Sequence, residues 1–195
     1  MQNSGPAVLC LGNTQNSNFP LILIFGRENN NTGNVYPGIG PYSFTQSPRS
    51  AFWNRAYAAI DRICSCLGHF KNNCRYIHRC SPIVFTNIFP LCIRNSVGNK
   101  NRVRSTINPN QISAFITDLF SLSMVNSRVK MVIVSVGNDP VFGDPKQVIA
   151  SECRSRKIRF SDVPYFAYSG NTNTMIDTAL QPRKNTICNI VSPFC

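Results

Sequence analysis

The segment at residues 21–31, LILIFGRENNN, constrains the fold of this chain more than any other. Its apolar run, residues 21–25, ends at Gly26, and a charged, amide-rich loop follows at once. An apolar run without polar alternation is typical of a strand buried on both faces of a parallel sheet. Such strands deliver the polar residues that follow them to the carboxyl edge of an open α/β sheet, where these folds bind ligands. We therefore predict a buried strand at residues 21–25 and a candidate site directly after it.

Three further short apolar runs predict strands at residues 82–87, 131–136 and 163–168, each followed by a polar loop. Helical segments separate the runs, and parallel strands need crossover connections of that length. We expect a single domain, residues 1–195, with a three-layer α/β fold. Its central sheet would have four mainly parallel strands in the order 2-1-3-4, flanked by helices, and residues 1–18 would be a loose lead-in.

Helices are predicted from apolar spacing and from start signals. Asn108 and Pro109 fit the N-cap and first position of a helix that runs to about Met124. The other predicted helices are residues 48–66, 145–154 and 172–180. Polar or basic loops are expected at residues 27–48, 67–80 and 94–106.

The charge of the chain points to a polyanionic partner. Lys and Arg number 20 against 8 Asp and Glu, so the formal net charge is +12 and the sequence pI is about 9.6. A basic domain of this kind most often binds nucleic acid. Glu28 is one of those eight acids, and its place at a strand end suggests a role beyond surface charge.

The sequence lacks the marks of a membrane or secreted protein. No apolar run approaches the roughly 18 residues that span a bilayer, and the first residues do not resemble a signal peptide. Nine cysteines without a secretory context favour reduced thiols. We expect no membrane partner, a monomer, and a cytoplasmic location, or a nuclear one in a eukaryote.

The order of several motifs resembles the uracil-DNA glycosylase superfamily, most closely its mismatch-specific uracil/thymine branch. The first strand ends in a Gly-containing loop, and a helix opens with Ser47-Pro48-Arg49-Ser50-Ala51-Phe52-Trp53-Asn54. The second strand ends in Phe85-Thr86-Asn87. A late Ser/Gly loop, Ala167-Tyr168-Ser169-Gly170-Asn171-Thr172, stands where the family enters the DNA minor groove. The resemblance covers about residues 20–180.

This resemblance implies an enzyme that flips a base out of DNA and hydrolyses its N-glycosidic bond. A carboxylate or amide two places after the Gly positions water or stabilises the sugar cation. Glu28 stands at that place, and Asn29 is the alternative. Gly26 and Asn87 would contact the base, because an amide matches the donor–acceptor edge of a pyrimidine. Tyr42 or Phe44 would stack on it.

The remaining candidate residues would contact DNA, and two departures from the family leave an alternative open. The late loop has no His, which the mismatch branch also lacks, and Asn29 replaces the family's Pro. A catalytically weak or inactive nucleic-acid-binding protein on the same fold is therefore the alternative, and a nucleoside hydrolase is a third possibility. The predicted DNA contacts are Arg49, Arg94, Lys100, Arg102, Arg104, Ser169, Gly170, Asn171 and Thr172.

A cluster of cysteines is a candidate metal site. Cys64, Cys66, Cys74 and Cys80 lie near His69 and His78, and some branches of the superfamily hold an iron–sulfur cluster on four Cys. The spacing is not a usual zinc spacing, and the N-terminal Cys pair of those branches is missing. We expect no metal and no other cofactor.

Overall fold

The computed structural model describes residues 19–27, 29–31, 51–65, 82–89, 92–94, 98–168 and 170–194. In this part of the chain the strands are β1 (Leu21–Gly26), β2 (Asn29–Asn31), β3 (Ile83–Asn87), β4 (Cys92–Arg94), β5 (Val129–Val134) and β6 (Arg159–Asp162). The helices are α1 (Ala51–Cys64), α2 (Lys100–Arg104), α3 (Pro109–Ser121), α4 (Ser123–Arg128), α5 (Gly143–Ser155), α6 (Asn173–Leu180) and α7 (Lys184–Val191).

The central sheet confirms the predicted architecture. Its four strands are all parallel and lie in the order β3-β1-β5-β6, which is 2-1-3-4 along the chain. β1 is central and every one of its residues is buried. A strand paired on both sides and covered on both faces needs the continuous apolar run that the sequence shows.

Alternate residues of each strand point to opposite faces and build two separate cores. On one face Ile22 and Ile24 of β1 pack with α1, α6 and α7. On the other face Leu21, Leu23 and Phe25 pack with α3, α4 and α5. The fold is therefore three-layered, with helices on both faces of one sheet.

The position of the fourth strand was predicted wrongly. Residues 163–168 form a loop, and the strand is β6, Arg159–Asp162, whose two end residues are exposed and whose two middle residues are partly or fully buried. β6 lies at the edge of the sheet, so it carries no continuous apolar run. Val163 N donates one more hydrogen bond, to Val134 O at 2.9 Å, and Pro164 then ends the ladder because it has no N–H.

The ends of some other helices and strands also differ from the prediction. The helix expected to reach Met124 ends at Ser121, because Leu122 takes an extended ψ of 131° before α4 begins. α2 lies within the segment predicted as a basic loop, and α7 was not predicted. Residues 29–31, predicted as loop, pair in parallel with β4 as a separate two-stranded sheet. No helix in the described part of the chain is long and apolar enough to cross a membrane.

Candidate functional site

The carboxyl ends of β1 and β3 leave the central sheet side by side. Gly26 and Asn87 are partners in the register of the two strands. The pairing continues beyond the strands, where Ile88 N donates to Gly26 O and Phe89 N donates to Arg27 O, both at 2.9 Å. The residues that follow the two most buried strands are thereby held together at one edge, as the sequence predicted.

Gly26 is the point of closest approach at this edge. A Cβ atom at this position would lie 3.0 Å from Asn87 Oδ1 and 3.4 Å from Phe52 Cζ. Asn87 is only 2 % exposed, so its amide is a deeply placed polar group. A side chain at this position would press on the Asn87 amide and fill the remaining space beside the Phe52 ring, so glycine fits the end of β1.

Arg27 is a functional candidate that no sequence motif singles out. Its Nε donates to Val136 O at 2.8 Å, and its Cζ lies 3.8 Å from the centroid of the Tyr165 ring. The Phe142 ring is also near, with its centroid 5.3 Å from Cζ. In the sequence, only the position of Arg27 directly after Gly26 points to a role at this edge. Its contacts are with residues more than a hundred positions later in the chain.

Gly137 completes the surroundings of the Arg27 side chain. Its φ of +86° favours glycine, and a Cβ there would lie 3.0 Å from Arg27 Nη2. The turn after β5 therefore leaves room for the guanidinium group while its neighbour Val136 binds it. Half-buried Arg27 is thus a cation in a defined position at the carboxyl edge.

Ser135 joins the ends of β5 and β6. It is completely buried, its hydroxyl accepts a hydrogen bond from Phe166 N at 2.9 Å, and it donates to Pro164 O at 3.1 Å. The side chain thus occupies both hydrogen-bonding roles of its hydroxyl group. The loop between β6 and α6 is anchored by it to the same edge that carries Arg27.

The β6–α6 loop, residues 163–172, is held by backbone and side-chain hydrogen bonds. Arg55 of α1 donates to Tyr168 O at 2.8 Å and to Asn171 O, and Asn171 Nδ2 donates to Tyr165 O at 2.9 Å. Asn171 N also donates to Tyr168 O at 3.1 Å. Thr172 caps α6 by accepting from Met175 N. Two of the predicted DNA contacts, Asn171 and Thr172, therefore also have structural roles.

The same loop presents an aromatic ring to solvent. Tyr168 is 60 % exposed, and a Cβ at Gly170 would lie 2.6 Å from its Cε1 atom. Gly170 therefore lets the ring fold back over the loop. A large exposed ring on a hydrogen-bonded loop can stack against an unpaired base.

α2 carries three of the predicted phosphate contacts, and they differ in exposure. Arg102 is exposed and Lys100 is half-buried. Arg104 is only 4 % exposed; its Cζ lies 5.2 Å from the centroid of the Phe142 ring, and Nη1 donates to Asn101 Oδ1. Asn101 in turn donates to Asp139 Oδ2. The structure does not present Arg104 at the surface for a phosphate, whereas Arg102 is accessible.

Several predicted site residues lie outside the described residues: Glu28, Tyr42, Phe44, Arg49 and Ser169. Asn29 and Arg94 are described only as backbone, in β2 and β4.

Of the candidate metal ligands, Cys66, Cys74 and Cys80 also lie outside the described residues. Burial and a hydrogen bond to the Cys188 thiol raise the pKa of Cys64 to about 12. Among the described side chains, no group of three or more His, Cys, Asp or Glu is placed to hold a metal ion.

No protein-family model matches the chain, and a search of curated proteins gives no match either.

Proposed function

We propose that this protein is a DNA glycosylase that hydrolyses the N-glycosidic bond of uracil or a related damaged or mismatched pyrimidine. The observation that carries the proposal is the Asn87 amide, buried at the carboxyl edge against Gly26. The segment that leaves the sheet at Gly26 continues directly into Glu28. A base-reading amide and a carboxylate on adjoining segments are the two groups that this reaction requires.

The chemistry of an amide suits the Watson–Crick edge of uracil. That edge offers an N–H donor at N3 and a carbonyl acceptor at O4. The carboxamide of Asn87 has one oxygen that accepts and one NH₂ group that donates. An amide held in one orientation can therefore make two hydrogen bonds to a flipped uracil, and the enzyme would discriminate against a base whose edge offers the opposite pattern.

Glu28 would act at the sugar. When the C1′–N1 bond breaks, its electron pair leaves with the base and C1′ acquires oxocarbenium character. A carboxylate near C1′ stabilises that cation and accepts a proton from the attacking water, whose oxygen bonds to C1′. The products are a free pyrimidine and an abasic site in DNA.

The surroundings of the site are compatible with a DNA duplex. The formal charge of +12 favours phosphate binding. Tyr168 stands exposed on the β6–α6 loop, and Arg102 stands exposed on α2. Both elements adjoin the carboxyl edge, since Arg104 and Asn101 of α2 contact Phe142 and Asp139, which follow β5.

The decisive experiment measures release of free base from a duplex that contains one uracil opposite guanine. The wild type is expected to release uracil, and Glu28→Gln to lower the single-turnover rate by about 10²-fold or more, with the Kd for the duplex little changed. The matched control is Glu152→Gln. Glu152 is the other glutamate of the sequence; it lies on α5 and pairs with Arg156. That variant is expected to retain wild-type activity.

Two departures from the resembled superfamily favour an alternative function, a nucleic-acid-binding protein without glycosylase activity. Ala167 and Tyr168 occupy the loop positions where many members of the resembled superfamily place a His, and Asn29 follows Glu28 where they place Pro. A nucleic-acid-binding protein without glycosylase activity would bind the same duplexes and release no base from uracil, thymine or oxidised-pyrimidine substrates. That result would sink the enzyme hypothesis and support the binding protein.

A further inference from the structure

A positive charge is built into the carboxyl edge, next to the proposed base site. Arg27 follows Gly26 directly, and its guanidinium is positioned by the Val136 carbonyl on one side and by the Tyr165 ring on another. A guanidinium 3.8 Å from a ring centroid lies within the range of a cation–π interaction. Partial burial reduces the solvent screening that weakens charges on open surfaces.

A continuous set of contacts connects this cation to the Asn87 amide. Phe52 lies against Gly26, as Asn87 does, and its ring centroid is 5.8 Å from that of Tyr165. Tyr165 in turn carries the Arg27 guanidinium on its face. Because these residues lie on β1, β3, α1 and the β6–α6 loop, four separate parts of the chain place an amide and a cation at one edge.

We propose that Arg27 is the anion-binding residue of this site and receives negative charge from the substrate nucleotide. The inference rests on the proposed function. The negative charge has two possible sources in one nucleotide, namely the phosphodiester groups that flank the flipped base and the pyrimidine itself as it departs. In both cases the chemistry is a fixed guanidinium facing delocalised oxygen anions, which is the pairing that arginine makes best.

The charge on the base follows from the bond that breaks. The electron pair of the C1′–N1 bond passes to the pyrimidine, where it spreads over N1 and the ring carbonyl oxygens. Water adds to C1′ and gives up one proton, so the overall products are neutral once the base takes up a proton. A cation that is already in position lowers the free energy of the charged transition state without reorganising at that moment.

The test compares Arg27→Gln and Arg27→Lys with Arg128→Gln on three duplexes. Arg128 is the matched control because it is also half-buried and its Nε also donates to a backbone carbonyl, that of Phe19 at 3.0 Å. It directly precedes β5, at the opposite edge of the sheet. The duplexes contain uracil, 5-fluorouracil, or uracil flanked by neutral methylphosphonate linkages. Single-turnover rate and Kd are measured for each, with thermal unfolding as the check on folding.

Two results support the inference and identify the source of the charge. If the base is the anion, Arg27→Gln slows uracil release by about 10²-fold but slows 5-fluorouracil release much less, because fluorine already stabilises that leaving group. If the phosphodiester is the anion, the variant weakens binding of the native duplex by about tenfold, and the methylphosphonate duplex shows no such loss. Arg27→Lys, which keeps the charge, recovers part of either effect.

Equal losses on all three duplexes, or losses no larger than those of Arg128→Gln, overturn the inference. The proposed function fails separately, when the wild type releases no base from any duplex. In that event the Kd comparison still decides the role of Arg27, because binding to native and methylphosphonate duplexes needs no turnover. Should Arg27→Gln fail to fold, the same comparisons are made with Arg27→Lys, for which a smaller but equally substrate-dependent loss is expected.

Discussion

Single residues at the carboxyl edge are constrained by distances of a few ångströms. Gly26 faces Asn87 Oδ1 on one side and the Phe52 ring on another, and Gly137 makes room for the Arg27 guanidinium. A methyl group at either position meets an atom at 3.0 Å, which is closer than ordinary van der Waals contact. The positions of the Asn87 and Arg27 side chains therefore depend on glycines that leave room for them.

Gly26→Ala is expected to destabilise the fold by about 1–3 kcal/mol, because the added methyl group overpacks a closed site. It is also expected to displace the Asn87 amide, so that uracil release falls more than stability alone explains. Chemical denaturation and single-turnover kinetics measure the two effects. Gly143→Ala at the start of α5 is the control, since a Cβ there meets nothing within 4 Å. Equal behaviour of the two variants would contradict the close packing at Gly26.

Cys153 gives a prediction on pH. Burial, with the negative charge of Glu152 as a smaller contribution, raises the pKa of this thiol from 9.0 to about 12. The unfolded chain loses the thiol proton near pH 9, whereas the folded chain keeps it, so this group favours unfolding as pH rises from 9 towards 12. Cys153→Ala is expected to flatten the fall of unfolding free energy with pH across that window. A fall as steep as that of the wild type would contradict the assignment.

At the scale of elements, α1 links the core to the carboxyl edge. Its buried face packs under β1, while Arg55 binds two carbonyls of the β6–α6 loop. Two turns further along, Arg62 pairs with Asp177 of α6 through two bonds of 2.8 Å. One helix therefore sets the position of both the loop and the helix that follows it.

Arg55→Ala is expected to loosen the β6–α6 loop while leaving the core intact. Loss of two hydrogen bonds from a charged donor should raise amide exchange of residues 168–172 by at least tenfold and weaken duplex binding. Arg62→Ala is the comparison, because it removes a partner of α1 and α6 without touching the loop carbonyls. Hydrogen exchange followed by mass spectrometry measures both. Similar exchange of the loop in the two variants would show that Arg55 does not hold it.

At the scale of the whole molecule, positive charge is found at both edges of the sheet. Lys100 and Arg102 stand beside the carboxyl edge, on α2. Lys130, Lys157 and Arg159 are exposed near the starts of β5 and β6, at the opposite edge. The net charge alone therefore does not say which side would meet DNA under the proposed function, and the position of the candidate site favours the carboxyl edge.

Salt dependence of duplex binding distinguishes the two edges. Each phosphate contact contributes about −0.9 to the slope of log K against log salt concentration. Arg102→Gln is expected to reduce that slope by about one contact, and Lys130→Gln to leave it unchanged. Binding isotherms at several salt concentrations provide the measurement. A reduced slope for Lys130→Gln with none for Arg102→Gln would place DNA at the other edge.

The prediction of the sheet succeeded where the signal was local. Three of the four strands were predicted from apolar runs, because each of them is buried on both faces of the sheet. The position of β6 was predicted wrongly because an edge strand is only partly covered and so has no continuous apolar run. α7 was missed although its buried residues, Ile187, Ile190 and Val191, are spaced as on one helical face.

The sequence by itself determined the layered α/β architecture and pointed to the segment after β1, because burial imposes a periodicity that is legible in consecutive residues. Only the tertiary structure decided what surrounds that segment. Arg27 contacts Val136 and Tyr165, and Gly26 lies against both Asn87 and Phe52. The residues in these contacts are separated by tens to more than a hundred positions in the sequence. Contacts of that range depend on how strands and helices pack, and no local pattern encodes them.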